Sequence, residues 1–263
     1  IHNLAIRIPD VSILIYHYNK IQFAFEKNIK KIHINNDAET VNFAENDGAD
    51  VFVYTAIRDN EFYNAVQKSA LKCISWVHNP ITCQELKMLA EIKQVKRVVF
   101  VSRQLYDLFM DHAIFKKSLY IYNMFSCEVE ETATPVTREK NVVFMGSITK
   151  QKGFHVLAQG WKYIKNKVPE AQLYVLGSGK LYDRNAVLGK YGIAEEKYEE
   201  SFIDGVLDDK GNILDSVHFE GVVGLEKYDY FKMGRVGVVN PTAYTETFCL
   251  SAVEMEIMGL PVV

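Results

Sequence analysis

The chain has 263 residues, enough for two domains at roughly 100–200 residues each, every one able to bury its own core. Its 30 Lys and Arg against 33 Asp and Glu leave a formal net charge of −3, which excludes a global basic field of the kind that binds nucleic acid or an anionic membrane. Four cysteines (Cys73, Cys83, Cys127 and Cys249) form no C-x-x-C pair and no metal spacing with the seven histidines, so reduced thiols are expected, and no apolar run approaches the ~20 residues that span a bilayer.

Short apolar runs alternate with longer amphipathic segments, the rhythm of βαβ units and a parallel sheet. In the first half the predicted strands are SILIY (12–16), VFVYT (51–55), CISWV (73–77), RVVFVS (97–102) and SLYIYN (118–123), with helices at 61–69, 83–91 and 103–111. CISWVHNP sets His78 directly after an apolar strand, ahead of Asn79 and a Pro80 that stops further pairing. A histidine there either positions a sugar or phosphate, moves a proton near neutral pH, or is hydrogen-bonded to its own turn.

After Asn123 acidic, Thr and Pro residues replace the apolar rhythm, which predicts an exposed linker over 126–140 between domains at 1–125 and 141–263. A second series follows: strand NVVFMGS, a helix over about 154–166, strand AQLYVLGSG, and a charged excursion at 180–216 with a short helix and no assigned chemistry. Strand VHFEG, a helix near 227–233, strand VGVVNP and a closing helix from about Phe248 complete it. Two successive doubly wound units imply a cleft between them, with ligands outside the carboxyl ends of strands, so chemistry is sought in the turns after strands.

Three turns of the second half stand out. In FMGSITKQKGF, Gly146 permits a tight turn and Lys150 and Lys152 precede Gly153 and a helix, which makes either an anion site or a strand-to-helix loop with solvated lysines. VLGSGK holds Gly177, Ser178 and Gly179 but does not complete G-x-G-x-x-G, so a glycine turn is favoured over a dinucleotide fingerprint. In TETFCLSAVEMEIMGLPVV, Glu246 sits in the loop before the closing helix and Glu254 about two turns inside it. Eight helical residues span ~12 Å, which suits two hydroxyl-bearing parts of one extended ligand rather than an acid and base acting across one bond. The alternative is a pair of surface glutamates on an amphipathic helix, the reading given to Glu256.

Taken in order, VVFMGSITKQKGFHVLAQGW, VPEAQLYVLGSG, VHFEG and VVNPTAYTETFCLSAVEMEIMGLPVV resemble the nucleotide-binding half of retaining GT-B glycosyltransferases, in particular glycosyltransferase family 4 with its Glu-x7-Glu motif. The first half resembles that family more loosely, through WVHNP, VVFVS and YIYN. The resemblance implies an α/β fold of two Rossmann-like domains facing each other across a cleft, the second incomplete, with GLPVV opening a buried strand and the chain truncated at both ends. It implies a metal-independent transferase that uses a UDP-, GDP- or ADP-linked sugar as substrate, needs no cofactor, and acts with retention.

By the same resemblance Glu246 holds the donor sugar's hydroxyls, Glu254 the ribose diol, and Lys152 the diphosphate. The amides of Phe248, Cys249, Leu250 and Ser251 complete the pocket, and His78 lies near the transferred sugar. Gly146, Ser147 and Lys150 belong to the donor loop. Two departures stand out: Ser147 occupies a place often held by Arg, leaving Lys150 or another residue to supply a second positive charge, and Cys249 replaces a small Gly. The implied acceptor is a glycan or lipid-linked acceptor in polysaccharide synthesis, at a cytoplasmic location or peripherally on the inner membrane. A catalytically weak homologue serving as scaffold, and a NAD-dependent α/β enzyme resting on VLGSG, are the competing readings.

Overall fold

The computed structural model describes residues 8, 10–18, 28–56, 58–125, 139–181, 183, 185–242 and 246–263, which divide into two units, Ile1–Tyr122 and Asn123–Val263. The predicted linker, apart from Glu139 and Lys140, lies outside the described residues, as does Cys127.

In the first unit β1 (Ile13–His17) and β2 (Ile29–His33) form a parallel pair. The strands β3 (Phe52–Thr55), β4 (Cys73–Val77), β5 (Val95–Phe100) and β6 (Ser118–Tyr120) form a second, all-parallel sheet in that order. The alternation in CISWV decides its faces: Cys73, Ser75 and Val77 are buried while Ile74 and Trp76 are half-buried. Helix Asn60–Lys68 starts where the Asp59 carboxylate accepts from the Phe62 amide at 2.8 Å, and helix Cys83–Glu91 starts at a Thr82/Glu85 capping box. Phe62, Leu86, Leu89 and Phe100 fill the core between these helices and the sheet.

Several boundaries differ from the sequence reading. The sheet ladder ends with the Ile121 amide on the Phe100 carbonyl, so 121–123 find no partner strand and β6 stops at Tyr120. The predicted helix at 103–111 stops at Asp107, because His112 Nδ1 accepts from the Ile114 amide and starts a 3-10 turn, Ala113–Lys117. β5 begins at the buried Val95 and ends at Phe100, short of the predicted Ser102. The strand β2 and helix Asp37–Asn46 were not predicted: IKKIH carries adjacent lysines, and the helix buries only Thr40, Val41 and Ala44.

In the second unit β7 (Asn141–Met145), β8 (Gln172–Leu176), β9 (Val217–Gly221) and β10 (Gly234–Val238) form one parallel sheet in the order β10-β7-β8-β9. The central β7 is apolar on both faces, as a parallel strand covered on both sides must be. Val142 and Phe144 face the helix Phe154–Lys167 and its Phe154 and Trp161, whose indole donates to Ser216 Oγ at 3.1 Å. Val143 faces Phe231 of helix Lys227–Met233 and Met255 of the closing helix, Leu250–Ile257. The excursion at 180–216 is held by Glu199, whose buried carboxylate accepts from the amides of Tyr191, Ile193 and Ala194 at 2.8, 2.8 and 3.1 Å. The GLPVV end makes a single parallel bridge, Gly237 to Val262, with Val263 exposed, rather than a buried strand.

This order fixes where a ligand belongs. From β7 the chain steps to β8 and β9 on one side, then returns to place β10 on the other side of β7. The loops leaving the carboxyl ends of β7 and β10 therefore diverge to opposite faces of the sheet, and that divergence opens a crevice at a topological switch point.

Candidate active site

The loop after β7 carries a 3-10 turn, Lys150–Lys152, and ends at Gly153, which has φ +70° and opens the helix Phe154–Lys167. A Cβ on Gly153 would stand 2.7 Å from Thr242 Cγ2, so glycine there lets the loop after β10 lie against this one. A Cβ on Gly177 would stand 1.8 Å from the Gly146 carbonyl oxygen. The first glycine of VLGSG is thus required by the approach of two backbones.

The two loops are joined by a chain of polar contacts. Lys152 Nζ donates to Glu246 Oε2 at 2.7 Å, and Asn240 Nδ2 donates to the same oxygen at 2.9 Å. Thr242 Oγ1 donates to Asn240 Oδ1 at 2.9 Å, with the Gln151 carbonyl oxygen 3.3 Å away. Asn240 follows β10 at φ +42°, a conformation asparagine tolerates better than most residues, and that turn aims its amide at the carboxylate. The Lys152 and Glu246 side chains are 24% and 20% exposed, screened by the loops yet reachable from solvent.

The closing helix begins at Leu250, two residues beyond the predicted start. Cys249 is its N-cap, with no side-chain cap bond. Burial pushes the Cys249 thiol above its ordinary pKa; the Ala252 amide opposes this, Glu246 adds to it, and Lys152 and the Ser251 amide oppose it, which places the thiol beside the Lys152–Glu246 pair. Two turns into the helix, Glu254 Oε2 lies 2.6 Å from Lys227 Nζ in an ion pair that is out of line for a hydrogen bond. Each glutamate of the spaced pair is thus met by a lysine from a different loop.

Residues 139–263 match the family model described as glycosyl transferases group 1. No curated protein matches the chain at a significant level. Solved glycosyltransferases share its fold. A glycosyltransferase from Rickettsia africae ESF-5 superposes with a TM-score of 0.63 at 14% identity, covering 89% of this chain and 65% of its own. Sucrose-phosphate synthase from Thermosynechococcus elongatus gives 0.67 at 15%, covering 98% and 72%. TarM of S. aureus, solved with UDP and alpha-GlcNAc-glycerol, gives 0.58 at 15%, covering 87% and 44%. The expected α/β architecture with parallel sheets is observed, and its structural neighbours are GT-B glycosyltransferases.

The remaining positions of the glycosyl transferases group 1 segment are placed as follows. Ser147 is buried and its hydroxyl donates to Thr149 Oγ1 at 3.2 Å, so it turns inward. Lys150 is exposed and lines a separate surface cavity of about 550 Å³ with Gln159, Lys197 and Tyr198. A Cβ at Gly146 would make only ordinary contact with the Phe144 ring. Leu250 is exposed and Phe248 and Ser251 are half-buried at the start of the helix. Asn240, Thr242 and Lys227 were not singled out from the sequence; the Asn-Pro following a strand was the signal for the first, and nothing local marks Lys227.

In the first unit His78 stands at the carboxyl end of β4, half-buried, with its ring 4.8 Å from that of Trp76; burial lowers its pKa from the ordinary value. The nearest Asp-x-Asp-like pattern, Asp59-Asn60-Glu61, begins with the helix cap already described. Among the described residues no three His, Cys, Asp or Glu side chains group as metal ligands, and no helix is long and apolar enough to cross a membrane.

Proposed function

We propose that the chain is a retaining glycosyltransferase of family 4 that moves a sugar from a nucleotide-diphospho-sugar to a glycan or lipid-linked acceptor. The observation that carries this reading is the Lys152–Glu246 pair at the switch point between β7 and β10, inside the segment that matches the glycosyl transferases group 1 model. The printed ligand of S. aureus TarM, UDP, supports a nucleoside diphosphate as the leaving group.

The chemistry follows from charge. Breaking the bond to the transferred sugar moves negative charge onto the diphosphate, and a positive group held beside it stabilises the transition state more than the ground state. Without ligand Lys152 is bonded to Glu246. A bound diphosphate takes that lysine, and the released Glu246 oxygen turns to the sugar hydroxyls while Asn240 keeps the carboxylate oriented. The first amides of the closing helix add positive potential at the same end. Glu254 holds the ribose diol, and the proton of the acceptor hydroxyl leaves with the departing phosphate, so no separate base is required. In this reading lysine and helix dipole balance the diphosphate without a metal ion, and the donor pool sets the reaction in the cytoplasm or on the inner leaflet.

The test is incubation of the purified chain with UDP-, GDP- and ADP-linked glucose and a glycan acceptor panel, following nucleoside diphosphate release and the product anomer by NMR. Release from one donor with the donor's anomeric configuration kept supports the reading. Absence of release from every donor, with stabilisation by NAD alone, refutes it.

A further inference from the structure

We infer that Lys227 is a positioning residue for the donor nucleotide: it holds the Glu254 carboxylate ionised and turned so that its second oxygen meets the ribose diol. The inference rests on the donor-site reading above and extends it to a residue which that reading does not use.

Lys227 opens the helix that follows β9, while Glu254 lies in the closing helix, and the two elements pack on the same face of the sheet through Phe231 and Met255. Their charged ends approach to 2.6 Å with side-chain exposures of 20% and 14%, so the pair is more enclosed than Lys152–Glu246. A charge that enclosed is stable only while its partner stays, since removing one member leaves the other desolvated and uncompensated. Lys227 Nζ also lies 5.2 Å from the centroid of the Tyr228 ring, a second attraction that fixes the ammonium at the start of its helix.

The geometry divides the carboxylate's work. Oε2 is the oxygen that faces Lys227, so Oε1 is the one turned away from the lysine. A diol presents two hydroxyl donors, and an ionised carboxylate with one oxygen anchored accepts from them at no further cost in side-chain freedom. Lys227 also keeps the site's net charge near zero at this point, which lowers the repulsion between Glu254 and an approaching diphosphate.

The experiment measures Kd by calorimetry for whichever of UDP, GDP and ADP binds the wild type, and for its 2′-deoxy counterpart, with Lys227→Met, Lys227→Arg, Glu254→Gln and the double variant. Lys227→Met should raise the Kd for the ribonucleotide about tenfold, the scale of one misplaced charge-assisted hydrogen bond, and should shrink the preference over the deoxynucleotide. Lys227→Arg should restore most of both, and the double variant should bind no more weakly than Glu254→Gln alone. Melting of each ligand-free variant separates misfolding from lost positioning. If Glu254→Gln weakens binding while Lys227→Met leaves the Kd and the ribose preference unchanged, the inference fails and the donor site stands. If no nucleoside diphosphate binds the wild type, the donor site itself fails and the inference with it.

Discussion

Replacing Lys152 with Met separates a catalytic charge from a structural one. Two unit charges ~4 Å apart attract by about 4 kcal/mol at an effective dielectric of about 20, and desolvation and side-chain ordering cancel most of this. For side chains 24% and 20% exposed the net contribution is about 1 kcal/mol. Glu246 keeps its bond from Asn240 at 2.9 Å and can turn to solvent, which holds the loss near that figure. The expected fall in melting temperature is about 2–4 °C. The effect on transfer should be far larger: loss of one preorganised positive group at a developing anion costs about 10²–10³ in kcat. The assay is nucleoside diphosphate release under saturating donor, run beside differential scanning fluorimetry of the same preparations. Unchanged turnover, or a loss that only follows the unfolded fraction, would refute the assignment of Lys152 to the leaving diphosphate.

Three other outcomes follow from the geometry. Glu199→Ala should lose about 2–4 kcal/mol in urea unfolding, because three amide donors at Tyr191, Ile193 and Ala194 lose a buried charged acceptor; it should also open 180–216 to protease. Gly177→Ala should cost about 3 kcal/mol or more by the same measurement, since the new methyl would stand 1.8 Å from a backbone oxygen that cannot rotate away. His78 has a folded-state pKa below its ordinary 6.5, so the unfolded chain binds the proton more readily. Its contribution to stability is present above that value and is lost as the pH falls below it, and wild type should lose stability relative to His78→Gln in acid. An NMR titration placing the His78 pKa at or above 6.5 would contradict this.

The parts of the fold set by local chemistry were legible in the sequence. CISWV alternates strictly and forms β4 at the predicted bounds, and the Thr82/Glu85 box starts its helix at Cys83. Where lysines interrupt the apolar pattern, as in β2, or where a helix buries three small or branched residues, as in Asp37–Asn46, the period carries too little signal. The site shows the same division. Lys152 and Glu246 announced themselves as turn residues after strands, but their contact spans 94 positions and exists because β10 lies beside β7, a matter of strand order. Asn240 needed the left-handed turn to be seen as a partner of Glu246, and Lys227 needed two helices to pack side by side. Conversely, the glycines of VLGSG owe their place to backbone packing, at Gly177 against Gly146 and at Gly179 against Ala194, which is invisible in a motif.

The central claim, that the crevice between β7 and β10 holds a nucleotide-activated sugar through its diphosphate, is tested most directly by calorimetric titration of the wild type and Lys152→Met with UDP, GDP and ADP. The account predicts saturable binding of one of the three by the wild type, weakened at least tenfold in the variant, the scale of a lost charge-assisted contact. Equal affinity in the two proteins, or no binding of any of the three, would contradict it.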